Sequence, residues 1–197
     1  MNKFFKHIQF LKSVASLAQL PLDTGAEVAF AGRSNAGKSS ALNVMAGIKK
    51  LAKVSNTPGR TQLINFFELS ATQRLVDLPG YGFAQVPLSV KERWQKTLAA
   101  YLEQRACLKG LMLLMDCRHP LKELDMNFLS WSADRNLPIH VLLTKADKLS
   151  KSAGLTVKNE VERYIQDYHP NASLQLFSAT HHLGILEAQK QLQSWLE

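Results

Sequence analysis

Apolar residues in this chain cluster into six short runs, separated by longer segments in which apolar and polar residues mix. The short runs predict strands, near residues 26–31, 63–69, 73–78, 109–116, 138–144 and 173–178. The longer segments predict helices, near residues 38–47, 89–106, 121–135, 153–168 and 181–195, with His181 and His182 beginning the last one. Strands and helices therefore alternate along most of the chain.

The connections between these elements predict the strand directions. Residues 70–72 join the second and third strands at hairpin length, so that pair is predicted to be antiparallel. The other strands are separated by helices and must run parallel. We therefore predict an α/β fold of three layers, with a six-stranded, mostly parallel sheet, one antiparallel strand and about five helices. Residues 26–197 are predicted to form a single domain, with residues 1–25 as an N-terminal extension packed on its edge.

A phosphate-binding loop is predicted between the first strand and the first helix. The sequence GRSNAGKS fits the pattern GxxxxGKS in the strand-loop-helix context that this motif requires. Backbone N–H groups at a helix N-terminus attract phosphate, Lys38 would reach the β- and γ-phosphates, and Ser39 would bind Mg²⁺. The predicted nucleotide contacts here are Gly32, Arg33, Ser34, Asn35, Ala36, Gly37, Lys38 and Ser39.

Three further motifs follow predicted strands in the order expected for a guanine-nucleotide site. In a DxxG motif the carboxylate of Asp77 would hold Mg²⁺ and the Gly80 N–H would sense the γ-phosphate. The carboxylate of Asp147 can accept two hydrogen bonds from guanine, and adenine has no matching donor pair. Lys145 would lie along the base. The full set of predicted contacts in these motifs is Asp77, Leu78, Pro79, Gly80, Thr144, Lys145, Ala146, Asp147, Ser178, Ala179 and Thr180.

These motifs make the chain resemble the translation-factor-type P-loop GTPases, and within that group the EngB family of bacterial GTP-binding proteins. The resemblance is carried by GRSNAGKSS at 32–40, TPGRTQ at 57–62, DLPGYGFA at 77–84, DCRHPLKELD at 116–125 and TKAD at 144–147. It covers essentially the whole chain and implies a Ras-like GTPase fold that binds GTP and GDP. It also implies a molecular switch in assembly of the large ribosomal subunit, with an association with cell division and septation.

The resemblance also extends the predicted site. It implies nucleotide contacts at Gly59, Arg60, Thr61, Gln62 and Leu63. Thr61 precedes the second predicted strand and is predicted, with Ser39 and Asp77, to bind Mg²⁺; Thr57 is the alternative to Thr61. Thr144 stands where GTPases usually have asparagine, which predicts a weaker hydrogen bond between loops.

Catalysis is predicted to be slow. Tyr81 stands where Ras-like enzymes place the glutamine that orients the attacking water, so hydrolysis needs help from elsewhere. Lys38 and Asn35 are the predicted catalytic residues. In related GTPases an asparagine at the position of Asn35 helps hold K⁺, while the alternative is a side chain that only stabilises the loop. The segment 116–120 either supports the nucleotide, faces a partner, or simply lets Pro120 start the third helix.

Charge suggests a polyanionic partner. The net charge is +8, and residues 1–60 hold nine Lys or Arg against Asp23 and Glu27. Such a basic region predicts binding to RNA or another polyanion through backbone and shape, although a solvated surface is the alternative. The EngB resemblance implies that this partner is ribosomal RNA or a large-subunit precursor. Sequence-specific DNA binding, a membrane span and a signal peptide are not expected, and two cysteines without metal spacing fit a reducing cytoplasm. We expect a monomer. A P-loop phosphotransferase acting on a small substrate is the alternative function.

Overall fold

The computed structural model describes residues 3–52, 63–81, 88–169 and 171–197. Twelve strands and helices lie within these ranges. The strands are β1 Gln9–Val14, β2 Ala26–Gly32, β3 Ile64–Ser70, β4 Gln73–Asp77, β5 Leu108–Asp116, β6 Ile139–Thr144 and β7 Ala172–Leu176. The helices are α1 Lys38–Ala46, α2 Leu88–Gln104, α3 Glu123–Asp134, α4 Lys151–Tyr168 and α5 Ile185–Leu196.

The strands form one mixed sheet in the order β1-β3-β4-β2-β5-β6-β7. Strand β3 is antiparallel to both β1 and β4, whereas β4, β2, β5, β6 and β7 pair in parallel. The prediction of an α/β fold with one antiparallel strand and five helices is confirmed over the described residues. Its strand number is wrong, because the described sheet has seven strands rather than six.

The missed strand is β1, at the edge of the sheet. Its residues are mostly exposed, and only Val14 is buried, so no apolar run marks it. The strand forms because its backbone pairs with β3, 50 to 59 residues away, from Gln9 opposite Glu68 to Val14 opposite Ile64. Two side-chain hydrogen bonds cross the same pair of strands, Gln9 to Glu68 and Ser13 to Asn65. Pairing over this distance leaves no local pattern in the sequence.

The last helix also begins later than predicted. Residues 181–184 form a turn, and α5 starts at Ile185 rather than at His181. His182 and Gly184 have φ angles of 54° and 73°, which are left-handed and incompatible with a continuing right-handed helix. A backbone hydrogen-bond pair between Ser178 and Leu183 closes this turn.

Two hydrophobic clusters pack on the two faces of the sheet. Alternate residues of β2 face opposite sides, with Val28 and Phe30 in one cluster and Ala29 and Ala31 in the other. Helices α1 and α5 contribute to the first cluster, and α2, α3 and α4 to the second. This is a three-layer arrangement, and the parallel strands all end at the same edge of the sheet. None of the helices described in the structure is both long enough and apolar enough to cross a membrane.

A buried charge cluster lies at the opposite edge, where the parallel strands begin. Glu27 is fully buried and accepts hydrogen bonds from Arg74, Arg105 and Tyr101, at 2.7 to 3.0 Å. Both arginines also donate to backbone carbonyls of residues 21–24. Burial alone would raise the pKa of Glu27, but the hydrogen bonds from Arg105 and Arg74 outweigh it and hold this pKa below its ordinary value. The cluster fixes the segment that leads into β2.

Candidate functional site

The loop from β2 to α1 has the backbone shape of a phosphate cradle. Asn35 and Gly37 have φ angles of 61° and 92°, and the Ala36 N–H donates to the Arg33 carbonyl at 3.0 Å. Gly37 precedes the first residue of α1, Lys38, so the loop runs directly into a nine-residue helix. Left-handed residues beside a helix N-terminus turn several N–H groups to one side, which is an anion-binding arrangement.

Asp77 ends β4 beside this loop and is chemically suited to a cation. It pairs in register with Phe30 of β2, and its Oδ1 atom is buried with no hydrogen-bond partner among the described residues. Burial raises the pKa of Asp77 to about 6, although the Lys38 ammonium opposes the shift. Burial likewise lowers the pKa of Lys38, and Asp77 opposes that change. A buried carboxylate oxygen without a protein donor fits a Mg²⁺ ligand, and Ser39, which follows Lys38, is half-buried.

Gly80 and Tyr81 lie directly against the phosphate loop. The Ser34 N–H donates to the Tyr81 carbonyl at 3.0 Å, and the Tyr81 N–H donates to the Gly32 carbonyl at 3.3 Å. A Cβ atom on Gly80 would lie 3.1 Å from Lys38 Nζ and 3.2 Å from Ser34 N, so only glycine fits here without displacing the loop. One N–H of the cradle is therefore occupied by the protein's own chain.

The Tyr81 side chain is fixed by α3. Its hydroxyl donates to Asp125 Oδ1 at 2.6 Å, and its ring stacks on Phe128 with centroids 4.9 Å apart. Burial raises the pKa of Tyr81, and the Asp125 carboxylate adds to the shift. Asp125 also accepts from the Lys122 N–H through Oδ2. The hydroxyl that follows the DxxG motif is thus engaged with α3, a contact that the sequence motifs did not predict.

At the other end of the site, Asp147 is oriented by Ser178. The Ser178 hydroxyl donates to Asp147 Oδ1 at 2.6 Å. This bond lowers the pKa of Asp147, and its effect is larger than the opposing effect of burial. Lys148 Nζ and His181 Nδ1 lie 3.4 and 3.8 Å from Asp147 Oδ2. The Ala146 N–H donates to the Phe177 carbonyl, which joins the two loops. An oriented, ionised carboxylate is the group that guanine recognition needs.

Thr144 connects this end to the phosphate loop. Its hydroxyl lies 2.7 Å from the Ala36 carbonyl and 3.1 Å from the Met115 carbonyl, and the shorter contact is the stronger one. The contact between the loops is therefore present with threonine at this position, and its predicted weakness relative to asparagine stays a prediction. A threonine hydroxyl at the end of β6 reaches the phosphate loop because the two loops are already in contact, with Thr144 3.8 Å from the Cβ position of Gly37.

Four of the predicted segments come together at the edge where the parallel strands end. They are residues 32–39, 77–80, 144–147 and 178–180. Leu63 is exposed and directly precedes β3. The predicted contacts Gly59, Arg60, Thr61 and Gln62, and the alternative Mg²⁺ ligand Thr57, lie outside the described residues. Sequence reasoning singled out the stretch 116–125 but did not predict the contacts of its two end residues, Asp125 with Tyr81 and Asp116 with Lys145.

Comparison with known proteins agrees with this geometry. A family model described as "50S ribosome-binding GTPase" matches residues 27–145. A GTP-binding protein named EngB from Coxiella burnetii is 52% identical over 191 residues, which cover 97% of this chain and 93% of that protein. A crystal structure of a GTP-binding protein named engB matches with a TM-score of 0.69 at 22% identity, covering 87% of this chain and 98% of the other. Era in complex with MgGDPNP and nucleotides 1506–1542 of 16S ribosomal RNA matches with a TM-score of 0.68 at 19% identity, covering 88% and 57%.

Proposed function

Because the chain belongs to the EngB family of GTP-binding proteins, and is a P-loop GTPase, we propose that it is a slow molecular switch. In this proposal its GTP form binds a precursor of the large ribosomal subunit, in the cytoplasm, as a monomer. A requirement in normal cell division and septation would follow from that role. The observation that carries the nucleotide part is the joining of a phosphate cradle to a guanine-type carboxylate loop, through Thr144 and Ala36.

We assign the nucleotide contacts as the sequence motifs suggest. Lys38 neutralises the β- and γ-phosphates, and the loop N–H groups orient them. Ser39 and Asp77 hold Mg²⁺, with Thr61 as the third protein ligand. The ion, when bound, shields the charge of the phosphates. The unpartnered Asp77 Oδ1 atom supports this assignment, because a buried carboxylate oxygen without a donor is costly unless a cation satisfies it.

The switch is supported by the contact between Gly80, Tyr81 and the phosphate loop. A γ-phosphate placed beside Lys38 would compete with Gly80 for space, because a Cβ atom added to Gly80 would lie only 3.1 Å from Lys38 Nζ. It would also draw on the Ser34 N–H that Tyr81 now occupies. GTP would therefore rearrange this segment more than GDP does, which is how a GTPase distinguishes its two nucleotide states.

A basic face supports the polyanionic partner. We define it by Lys6, Lys49 and Lys50, which are exposed. The segments that carry these lysines pack on the same hydrophobic cluster, through Phe5 and Ile8 on one side and Ile48 and Leu51 on the other. None of the three lysines takes part in an ion pair among the described residues. Unpaired cations on one face are available to phosphate groups.

Sedimentation with ribosomal particles tests the proposal. Binding should require GTP and should weaken with salt, with a log–log slope of about −3.5 to −4.5 for roughly five phosphate contacts. Lys49→Glu with Lys50→Glu should reduce particle binding while GTP affinity stays nearly unchanged. The matched control is Lys96→Glu with Lys151→Glu, which makes the same charge change on α2 and α4, across the sheet. Equal sedimentation of both double variants at every salt concentration would show that the basic face is an ordinary solvated surface with no role in particle binding.

Nucleotide preference separates this function from a P-loop phosphotransferase. Tight binding of GTP and GDP with negligible binding of ATP is expected of the switch. A phosphotransferase would instead show transfer of the γ-phosphate to a small acceptor in the absence of any ribosomal particle. We also propose that Asn35, whose side chain is exposed on the left-handed turn of the loop, supports K⁺ beside the phosphates during hydrolysis.

A further inference from the structure

The segment after β5 lies beside the guanine-recognition loop, although none of its residues belongs to a nucleotide motif. Asp116, the last residue of β5, pairs in register with Thr144 of β6. The N–H of Cys117 donates to the Thr144 carbonyl at 3.0 Å, so the two chains remain joined past the ends of the strands. Asp116 is therefore placed next to Lys145 by the sheet itself.

Asp116 is the centre of a small hydrogen-bonded group. Lys145 Nζ lies 3.0 Å from Asp116 Oδ2. Arg118 donates to both oxygens of the same carboxylate, from Nε to Oδ1 at 2.9 Å and from Nη2 to Oδ2 at 2.6 Å. The Arg118 backbone N–H adds a further bond to Oδ1 at 3.1 Å. The carboxylate thus has a fixed orientation before it meets the lysine.

Lys145 is also fixed at its other end. Its backbone is left-handed, with a φ of 59°, and the short 3-10 turn Ala146–Lys148 follows it directly. A lysine side chain has four flexible bonds and loses considerable freedom when it is ordered. Here the backbone holds one end and Asp116 holds the ammonium, so the aliphatic stem is restrained before any base arrives.

We propose that Asp116 is a positioning residue for guanine-nucleotide binding, which tethers Lys145 so that its stem is ready to lie along the base. Arg118 supports it by orienting the carboxylate. The inference rests on the proposed function, in which the base lies beside Lys145. It gives the segment 116–120 a nucleotide-supporting role rather than a partner-facing one.

The tether should affect binding more than folding. The side chains of Asp116, Lys145 and Arg118 are 18%, 32% and 42% exposed, and ion pairs at such positions add little to stability. Without the tether, the Lys145 side chain would lose its conformational freedom only when the nucleotide binds, and this entropy loss would lower the affinity. The expected loss is about two- to tenfold in affinity, which is the effect of immobilising one flexible side chain. GTP and GDP should lose affinity equally, because the base is common to both.

A double-mutant cycle tests the tether. Asp116→Asn removes the charge that holds the ammonium, and Lys145→Met keeps an unbranched apolar stem without the charge. Dissociation constants for GDP and GTP are measured by calorimetry for the parent, both single variants and the double variant, and KM and kcat for GTP hydrolysis are measured alongside. Asp134→Asn, which neutralises an exposed acid at the end of α3, is the matched control.

We expect Asp116→Asn to weaken GDP binding in the parent and to have no further effect when Lys145 is already Met. It should raise KM for GTP without lowering kcat, and leave the unfolding midpoint unchanged. Two results would overturn the tether alone. One is that Asp116→Asn weakens GDP binding equally in the parent and in Lys145→Met. The other is that Asp116→Asn leaves GDP affinity unchanged in the parent although Lys145→Met weakens it. Unchanged GDP affinity in Lys145→Met would instead overturn the proposed position of the base, and the tether with it.

Discussion

Replacing Asp147 by Asn is the most direct test of how this protein selects guanine. The carboxylate is nearly enclosed, with its side chain 5% exposed, and Ser178 already donates to Oδ1 at 2.6 Å. In the variant, the amide oxygen can keep the bond from Ser178, which turns the NH₂ group toward the guanine N–H donors. Donor then faces donor, and the charge-assisted pair is lost.

The loss should be about 2–4 kcal/mol, because charged hydrogen bonds contribute about 1.5–3 kcal/mol each and the variant leaves guanine donors unpaired. This corresponds to an affinity for GDP and GTP about 30- to 700-fold weaker. Xanthine has an acceptor where guanine has its amino group, so the variant should bind xanthine nucleotides better than the parent does. Calorimetric titration of GDP, GTP and xanthosine diphosphate at fixed Mg²⁺ measures all three effects.

Two further variants control for indirect effects. Lys148→Gln removes a neighbouring cation that is 61% exposed and 3.4 Å from Asp147, and should change GDP affinity by less than about threefold because such pairs are weak. Ser178→Ala removes the bond that orients Asp147, together with the hydroxyl's contacts to Thr180 and the His181 N–H, and should weaken GDP binding by about 1 kcal/mol. GDP affinity within threefold of the parent in Asp147→Asn, with no gain for xanthine, would refute the assignment of this loop to the base.

Three other predictions follow from the same structure. Replacing Na⁺ by K⁺ should speed GTP hydrolysis in the parent and not in Asn35→Ala, and equal rates in both salts would remove the K⁺ proposal without touching the GTPase assignment. Tyr81→Phe leaves Asp125 Oδ1 buried without its donor, so the free energy of unfolding in urea should fall by about 1–3 kcal/mol. Glu27 has a folded-state pKa below its ordinary 4.5, so its contribution is present above that value and lost as pH falls through the folded pKa. Urea unfolding from pH 6 to pH 3 should show this loss in the parent and a flatter profile in Glu27→Gln.

Local patterns in the sequence were sufficient for most of the fold and for the nucleotide motifs. The strands that hold those motifs are short apolar runs, and a motif at the end of a parallel strand has a known place at the edge of the sheet. Strand β1 was missed because it depends on pairing with β3 rather than on its own residues. The start of α5 was misplaced because the backbone of His182 and Gly184 is left-handed, a conformation that the apolar pattern of the sequence does not reveal.

The side-chain contacts of the site were less predictable still. Tyr81 and Asp125 are 44 residues apart, and their hydrogen bond exists only because the DxxG loop and α3 meet across the sheet edge. The sequence likewise does not reveal how closely the loops at Thr144 and Ala36 approach each other. The distance of 2.7 Å to the Ala36 carbonyl allows a short hydroxyl to make the bond between them.

The segment from Asp116 to Asp125 connects the two ends of the site. Its first residue holds Lys145 beside the proposed base, and its last residue holds Tyr81 beside the phosphate loop. The two contacts should nevertheless have different signatures. A change at Asp116 acts on the base, which GTP and GDP share, so both affinities should fall by the same factor. A change at Tyr81 acts on the segment that competes with the γ-phosphate for the phosphate loop. Only GTP has that phosphate, so the change should alter the ratio of GTP to GDP affinity. Measuring both ratios in Asp116→Asn and Tyr81→Phe therefore separates base positioning from the nucleotide switch within one segment.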